Sequence, residues 1–195
     1  MDKNKRWSIF TCLLLTLLSV SLTAQVKFER EYRIKPVDVP KTAVSFVDSA
    51  FRDIPVRWYM ETSSEGKSIE AKLMRNRTLY SIEFDESGNL EDVEFEISAG
   101  DLPEKTLDAI RKWLGNRFST FRLMKIQQQW TGSRHEIYGI LTGKMDPDQY
   151  PARYEIVVRG KISGKTVWYE YLFSDSGEML SEIPVVFKNT DNLVY

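Results

Sequence analysis

The stretch FDESGNLEDVEFEI, residues 84 to 97, has residue types that could bind a metal ion. Acidic residues surround Gly88, and Glu94 follows at the distance at which an EF-hand places its last calcium ligand. The fit is incomplete, because Glu83 stands where an aspartate belongs and the flanking residues alternate as strands do. We therefore expect a hairpin turn here, and no calcium site.

Catalytic chemistry has little support in the sequence. A serine-type hydrolase or a multi-histidine metal site cannot be assembled around His135, the one histidine of the chain. Asp92, Glu94 and Glu96 occupy alternate strand positions, a pattern typical of a solvated face. Phosphate-binding glycine motifs are absent from the sequence. We expect no catalytic residue, no metal and no cofactor; an enzyme of unrecognised type that uses the region near His135 is the alternative.

Residues 1 to 24 have the pattern of a secretory signal peptide. Basic residues precede an apolar run from Trp7 to Leu22, and Ala24 lies before Gln25. The run is shorter than the ~20 apolar residues of a spanning helix, although an uncleaved anchor is the alternative. Cleavage would remove the only cysteine, Cys12, and change the net charge from -1 to -3. We expect a periplasmic or secreted protein with no nucleic-acid partner and no membrane span after cleavage.

Two helix starts have similar sequences. DVPKTAVSFV, residues 38 to 47, aligns with DLPEKTLDAI, residues 101 to 110. Proline is favoured in a first helical turn, and apolar residues follow at helical spacing. These apolar residues are Val44, Val47, Phe51 and Ile54 in the first copy and Leu107, Ile110, Leu114 and Phe118 in the second.

Two glycine turns repeat as well, in the same order. LYSIEFDESGNL, residues 79 to 90, aligns with WYEYLFSDSGEM, residues 168 to 179. The order of helix and turn predicts an α+β fold of two tandem repeats, each with one helix packed on an antiparallel sheet of about four strands. The alternative is one domain with two similar hairpins.

The strand pattern sets the expected boundaries. Alternation places Tyr80, Ile82 and Phe84 on the core face and Trp168, Glu170 and Leu172 on the outer face. The expected units are the signal peptide at 1–24, an extension at 25–35 with a possible edge strand through Phe28, Tyr32 and Ile34, repeat one at 36–98, repeat two at 99–187 with an insertion near 131–151, and a tail at 188–195.

The "VP" or "LP" helix start, the alternating strands and the final F-x-x-S-G turn resemble the PepSY-like domains of exported bacterial proteins. The paired arrangement is similar to the tandem fold of secreted beta-lactamase inhibitor proteins. This resemblance covers most of residues 36 to 187. It implies binding rather than catalysis, since its members include propeptide-like protease inhibitors, and it carries over no catalytic residue.

Two surfaces are candidates for binding. The outer face of the second half carries Trp168, Leu172 and Val157, unless the other half of the chain buries them. The insertion, which we expect to be a long loop, carries a second group of candidate residues, His135, Tyr138 and Tyr150. We expect a non-enzymatic exported binding module, an inhibitor or sensor of a cell-envelope protein; the alternatives are the enzyme near His135 and a structural accessory of the envelope.

Overall fold

The computed structural model describes residues 30–62 and 66–185, and within them nine strands form one antiparallel sheet. The strand order in the sheet is the order along the chain, so each strand pairs with the next one. The strands are β1 (Arg30–Ile34), β2 (Val56–Thr62), β3 (Lys67–Arg75), β4 (Thr78–Asp85), β5 (Leu90–Glu96), β6 (Thr120–Thr131), β7 (Arg153–Ile162), β8 (Lys165–Ser174) and β9 (Met179–Pro184).

Three α-helices occur in the same described residues, and all three pack on one face of the sheet. They are α1 (Lys41–Ala50), α2 (Glu104–Arg117) and α3 (Arg134–Leu141); short 3-10 helices span Pro36–Asp38, Ala99–Asp101 and Pro147–Gln149. Pro40 and Pro103 stand at the N-cap positions of α1 and α2, one residue before the first helical turn in which the sequence places them. Each helix buries an apolar stripe, which supplies most of its stability.

The core has two parts. The first is formed by α1, α3 and strands β2 to β5, with Trp130 of β6, and contains the T-shaped pair Phe46 and Phe84. The second is formed by α2 and strands β6 to β8, and contains Tyr171 and Phe173 with Trp113 across them. Burial of these aromatic side chains is the main contribution to the stability of the fold, in which no disulfide is described.

The two glycine turns position the helices. Gly88 and Gly177 adopt φ of 82° and 81°, the left-handed region that suits glycine. A Cβ on Gly88 would lie 2.4 Å from Oγ1 of Thr42, and one on Gly177 would lie 2.8 Å from Cβ of Ala109. Each turn therefore presses directly against the first turns of a helix, and only glycine permits that approach.

Asp85, in the first glycine turn, accepts hydrogen bonds from backbone N–H groups. Oδ1 of Asp85 accepts hydrogen bonds from the backbone N–H groups of Ser87 and Asn89, both at 2.8 Å. The side-chain amide of Asn89 also donates to Oδ2 of Asp85 at 2.7 Å, and this bond, followed by the backbone bonds, holds the pKa of the Asp85 carboxyl below its usual value. The stretch is the hairpin turn between β4 and β5, as predicted.

The predicted fold class of two tandem helix-on-four-strand repeats is wrong. Strand β5 pairs with β6 from Asp92 opposite Thr131 to Glu96 opposite Gln127, so hydrogen bonds run without a break from β1 to β9. A row of unpaired strand edges between two repeats would be a site for aggregation, and this pairing removes it. The chain forms one continuous sheet.

The helix count also departs from that expectation, because the insertion is not a long loop. It contains α3, whose Ile137, Ile140 and Leu141 pack into the first part of the core. Arg134 links α3 to α1: its Nη2 donates to the carbonyl oxygen of Thr42 at 2.5 Å. A segment from late in the chain thus completes the early half of the core.

Strand β1 lies at the edge of the sheet and pairs antiparallel with β2 from Arg30 opposite Thr62 to Ile34 opposite Trp58. Phe28, the signal peptide at 1–24 and the tail at 188–195 lie outside the described residues. The expected unit boundaries at 36–98 and 99–187 stay a prediction.

We expect Gly88→Ala to destabilise the protein by about 2–4 kcal/mol, because it combines backbone strain with a steric clash against α1. The matched control is Gly164→Ala in the β7–β8 turn, since Gly164 has φ of 79° but open space around it. Only strain of about 1 kcal/mol should appear there. Urea unfolding of both variants gives the difference; equal losses would show that the contact with Thr42 contributes nothing.

Candidate functional site on the open face of the sheet

One face of the sheet carries no helix in the described part of the chain, and we call it the open face. Its side chains are those that alternate with the core residues, so Glu70, Glu83 and Asp92 stand in one row across β3, β4 and β5. Ser81 and Glu94 stand in the next row, opposite each other. The core-facing neighbours such as Ile82 point to the helices.

Five acidic residues cluster on this face, and we call them the acidic centre: Glu61, Glu70, Glu83, Asp92 and Glu94. Glu70 lies directly opposite Glu83, which lies directly opposite Asp92. Like charges at such positions repel one another. Glu70 and Glu94 are also only 6% exposed, so the repulsion is not weakened by free access of water.

Glutamines of β6 satisfy one side of the acidic centre. Nε2 of Gln127 donates to Oε2 of Glu94 at 2.8 Å, and Nε2 of Gln129 lies 3.2 Å from oxygens of both Asp92 and Glu94. Neutral amides supply hydrogen bonds here without adding charge. The pairing of β5 with β6 is therefore reinforced by side chains on the open face.

A lysine satisfies the other side. Nζ of Lys72 lies 2.9 Å from Oε2 of Glu70 and 2.7 Å from Oε2 of Glu31, and the hydroxyl of Ser81 donates to Oε1 of Glu70. Burial by itself lowers the pKa of Lys72, but the hydrogen bonds to Glu31 and Glu70 outweigh it and raise the pKa above the usual value. Lys72 thus stays charged and offsets part of the acidic charge.

Glu83 is the residue that the acidic centre perturbs most. Burial, followed by the charges of Asp92, Glu94, Glu70 and Glu61, raises the pKa of the Glu83 carboxyl to about 10. A carboxyl in this state is protonated at neutral pH and can donate a hydrogen bond. One neutral acid between charged ones relieves the repulsion of the cluster.

Three predicted binding residues lie on the open face, separated from the acidic centre by β6. Val157 stands opposite Glu170, and Trp168 stands opposite Arg159, whose guanidinium lies 5.9 Å from the indole ring. Leu172 stands opposite Glu155. All three apolar side chains are half-buried by their sheet neighbours and have no described helix over them. We call Val157, Trp168 and Leu172 the apolar band.

The other three predicted residues lie on the opposite side of the sheet. His135 is exposed in the first turn of α3, so the expectation that it lies in a loop is wrong. The ring of Tyr138 packs 6.4 Å from that of Phe46, and the hydroxyl of Tyr150 lies 3.1 Å from Sδ of Met145. The structure therefore does not bring these residues together with the apolar band.

The acidic centre itself was missed by sequence reasoning. The alternating Asp92, Glu94 and Glu96 suggested a solvated face, but Glu94 is buried and only Glu96 is exposed. A usable signal was the repeated glutamine in KIQQQW. Gln127 and Gln129 lie two residues apart and so point to the same face of a strand, where they can meet acids of a neighbouring strand.

Metal binding has no geometric support in the described ranges. No three acidic, histidine or cysteine side chains there are arranged to hold an ion. Within residues 30–62 and 66–185, no helix combines the length and the apolar character that crossing a bilayer requires.

Solved structures share the fold. A protein of Bacteroides eggerthii for which a periplasmic location has been inferred aligns with a TM-score of 0.52 and 13% identity, over 75% of this chain and 88% of that one. A DUF2874 family protein of Bacteroides ovatus gives 0.52 and 12%, over 75% and 87%. A BLIP-like protein of Bacteroides fragilis gives 0.50 and 14%, over 78% and 90%.

These similarities confirm the part of the predicted resemblance that concerns a BLIP-like fold. At this level of identity they show the fold alone. No protein-family profile matches the sequence, and no curated relative is found.

We expect Glu83→Gln to stabilise the protein at pH 8 by about 1–3 kcal/mol and to have little effect at pH 4. The pKa of Glu83 is raised from 4.5 to about 10 on folding, so folding takes up a proton between these values and stability falls as pH rises. Glutamine stays neutral and removes this loss.

Urea unfolding at pH 4, 6 and 8 measures the effect as the difference between variant and wild type. The control is Glu96→Gln on the neighbouring strand β5, an exposed position where the substitution should change stability by less than about 0.5 kcal/mol. A Glu83→Gln variant whose stability difference does not grow from pH 4 to pH 8 would contradict the raised pKa.

Proposed function

We propose that the protein is an exported, non-enzymatic binding module whose open face binds a protein of the cell envelope. The observation that carries this proposal is the apolar band, three large apolar side chains on a sheet face without a described helix over it. Large apolar groups in such a position are enriched where proteins bind partners.

The chemistry of Trp168 supports this role. Tryptophan contributes more binding energy than most residues at interfaces, because it buries a large rigid surface and keeps an N–H for a hydrogen bond. The guanidinium of Arg159 lies 5.9 Å from the ring, a cation–π contact that favours one orientation of the indole before a partner arrives. Such preorganisation lowers the entropy lost on binding.

The sheet provides a rigid base for the band. Strands β7 and β8 pair over ten consecutive positions, from Arg153 opposite Ser174 to Ile162 opposite Lys165. Their core sides are anchored by Tyr171 and Phe173, which are fully buried. A surface built on such strands keeps its shape, as recognition of one partner requires.

Export is the second element of the proposal. Residues 1 to 24 have the signal-peptide pattern, and the similar Bacteroides eggerthii protein has an inferred periplasmic location. We also propose, from the PepSY-like resemblance of the sequence, the narrower role of inhibitor or sensor.

Catalysis at His135 has weaker support. The residue lies exposed on α3, and its neighbour Glu136 completes a capping box with Ser133. These hydrogen bonds to Ser133 lower the pKa of Glu136 below its usual value, ahead of a smaller effect of His135. Glu136 is thus explained by helix capping, and we propose no catalytic role for the pair.

Trp168→Ala should weaken retention of the partner at least about tenfold, as expected for a central aromatic anchor. The measurement is affinity capture from an envelope extract, with the mature domain immobilised and the bound proteins quantified by mass spectrometry. Leu172→Ala should weaken retention of the same partner protein in the same assay.

The matched control is Val37→Ala, because Val37 is 84% exposed and lies outside the sheet. It should retain the partner as the wild type does. Thermal unfolding of each variant confirms that the fold survives. A wild-type domain that retains no specific protein, or a partner that Trp168→Ala retains fully, would overturn the proposed binding role.

The full chain expressed in a bacterium should yield a mature protein that begins at Gln25. Mass spectrometry of the protein recovered from the periplasm or medium measures the N-terminus. A chain recovered with residues 1 to 24 still attached to membranes would contradict cleavage and favour an anchor.

A further inference from the structure

A basic cleft lies at one end of strands β6, β7 and β8, apart from the acidic centre. Its volume is about 330 Å³, which is within the range of sites for small ligands. The lining residues are Thr120, Phe121, Arg122, Arg159, Gly160, Lys161 and Thr166.

Three cations of this cleft share the open face. Arg122 stands directly opposite Arg159, and Lys161 follows Arg159 at the next position of β7 on the same side. Like charges directly opposite each other destabilise a sheet. The structure therefore holds an unfavourable arrangement that an anion would relieve.

The cleft is also rigid. Gly160 lies between Arg159 and Lys161, and a Cβ at this position would lie 2.3 Å from the ring of Phe118. The close approach seats β7 against the residue that ends α2. The guanidinium of Arg159 is held over the ring of Trp168. Two of the three cations thus belong to a strand segment whose backbone position is fixed.

We propose that this cleft binds a phosphate or sulfate group. A group with three or more oxygens can accept hydrogen bonds from both guanidinium groups at once and still face the ammonium of Lys161. The hydroxyls of Thr120, opposite Lys161, and of Thr166, also opposite Lys161, supply further donors. A single carboxylate would leave most of the positive charge unpaired.

The site is separate from the proposed protein-binding role, which rests on the apolar band. Arg159 and Trp168 are neighbours, however, so the tests are kept apart. Anion binding is measured on the isolated domain with no partner present, and its failure would leave the capture experiment unaffected.

The test uses the mature domain labelled with ¹⁵N and titrated with sodium phosphate, sodium sulfate or glucose 6-phosphate, at constant ionic strength set by chloride. Glucose is the neutral control for the sugar arm. We expect saturable shifts of the backbone amide signals around Arg122, Arg159 and Lys161. Glucose 6-phosphate that binds no better than inorganic phosphate would show that the anionic group alone is recognised; tighter binding would indicate a phosphorylated saccharide.

Arg122→Ala and Arg159→Ala should each weaken phosphate binding about tenfold, as expected for the loss of one charge-assisted hydrogen-bonding group. Arg122→Gln removes the charge but keeps a polar side chain with N–H donors, and it should weaken phosphate binding similarly. The control is the double variant Arg111→Ala and Lys112→Ala, which removes two exposed cations from α2. It should change the dissociation constant less than about twofold, because it leaves the cleft intact.

The arginine variants should remain folded, because removal of either one also removes like-charge repulsion. Thermal unfolding in chloride checks this directly. The proposal is overturned if phosphate and sulfate cause no saturable shifts at the cleft, or if the α2 double variant loses as much affinity as the arginine variants.

Discussion

The pairing of β5 with β6 is the constraint on which the rest of the structure depends. It joins two stretches of sheet that would otherwise each end in an exposed edge. On the core side the rings of Phe95 and Trp130 meet at 4.6 Å. On the open side Gln127 donates to Glu94 across the same pair of strands. Both faces thus reinforce one set of backbone hydrogen bonds, and α3 can reach the first part of the core only because β6 delivers the chain there.

The acidic centre is a consequence of that pairing. Acids on four neighbouring strands are tolerable when donors reach them, and the donors come from either side: Lys72 from β3 and the glutamines from β6. Glu83 lies between these donors, and its raised pKa keeps it protonated, which avoids the repulsion that another buried charge would add. Buried acids therefore stabilise nothing by themselves here. They make the surface specific, since a misaligned register would leave them without partners.

Much of the local structure could be predicted from sequence, because it depends on near neighbours. Proline at the helix starts and glycine in the turns predicted α1, α2 and both hairpins, and alternation placed Trp168 on the open face. The helix α3 was missed although Ser133 and Glu136 form a recognisable capping box before apolar residues. The single sheet and the acidic centre were not predictable in the same way, since they depend on which strands meet, and two similar units in sequence need not form two separate sheets.

The distribution of charge on the open face limits what can cover it. Over the acidic centre a partner must bring cations or hydrogen-bond donors, because further acids would meet Glu70 and Glu94 in a region with little water. Near Arg122 and Arg159 it must bring acids. An apolar partner surface would satisfy neither the acidic centre nor the basic cleft. Simple stacking of another sheet on this face is therefore disfavoured. The apolar band supplies contact area between these zones, and the charges on either side decide which partner can use it.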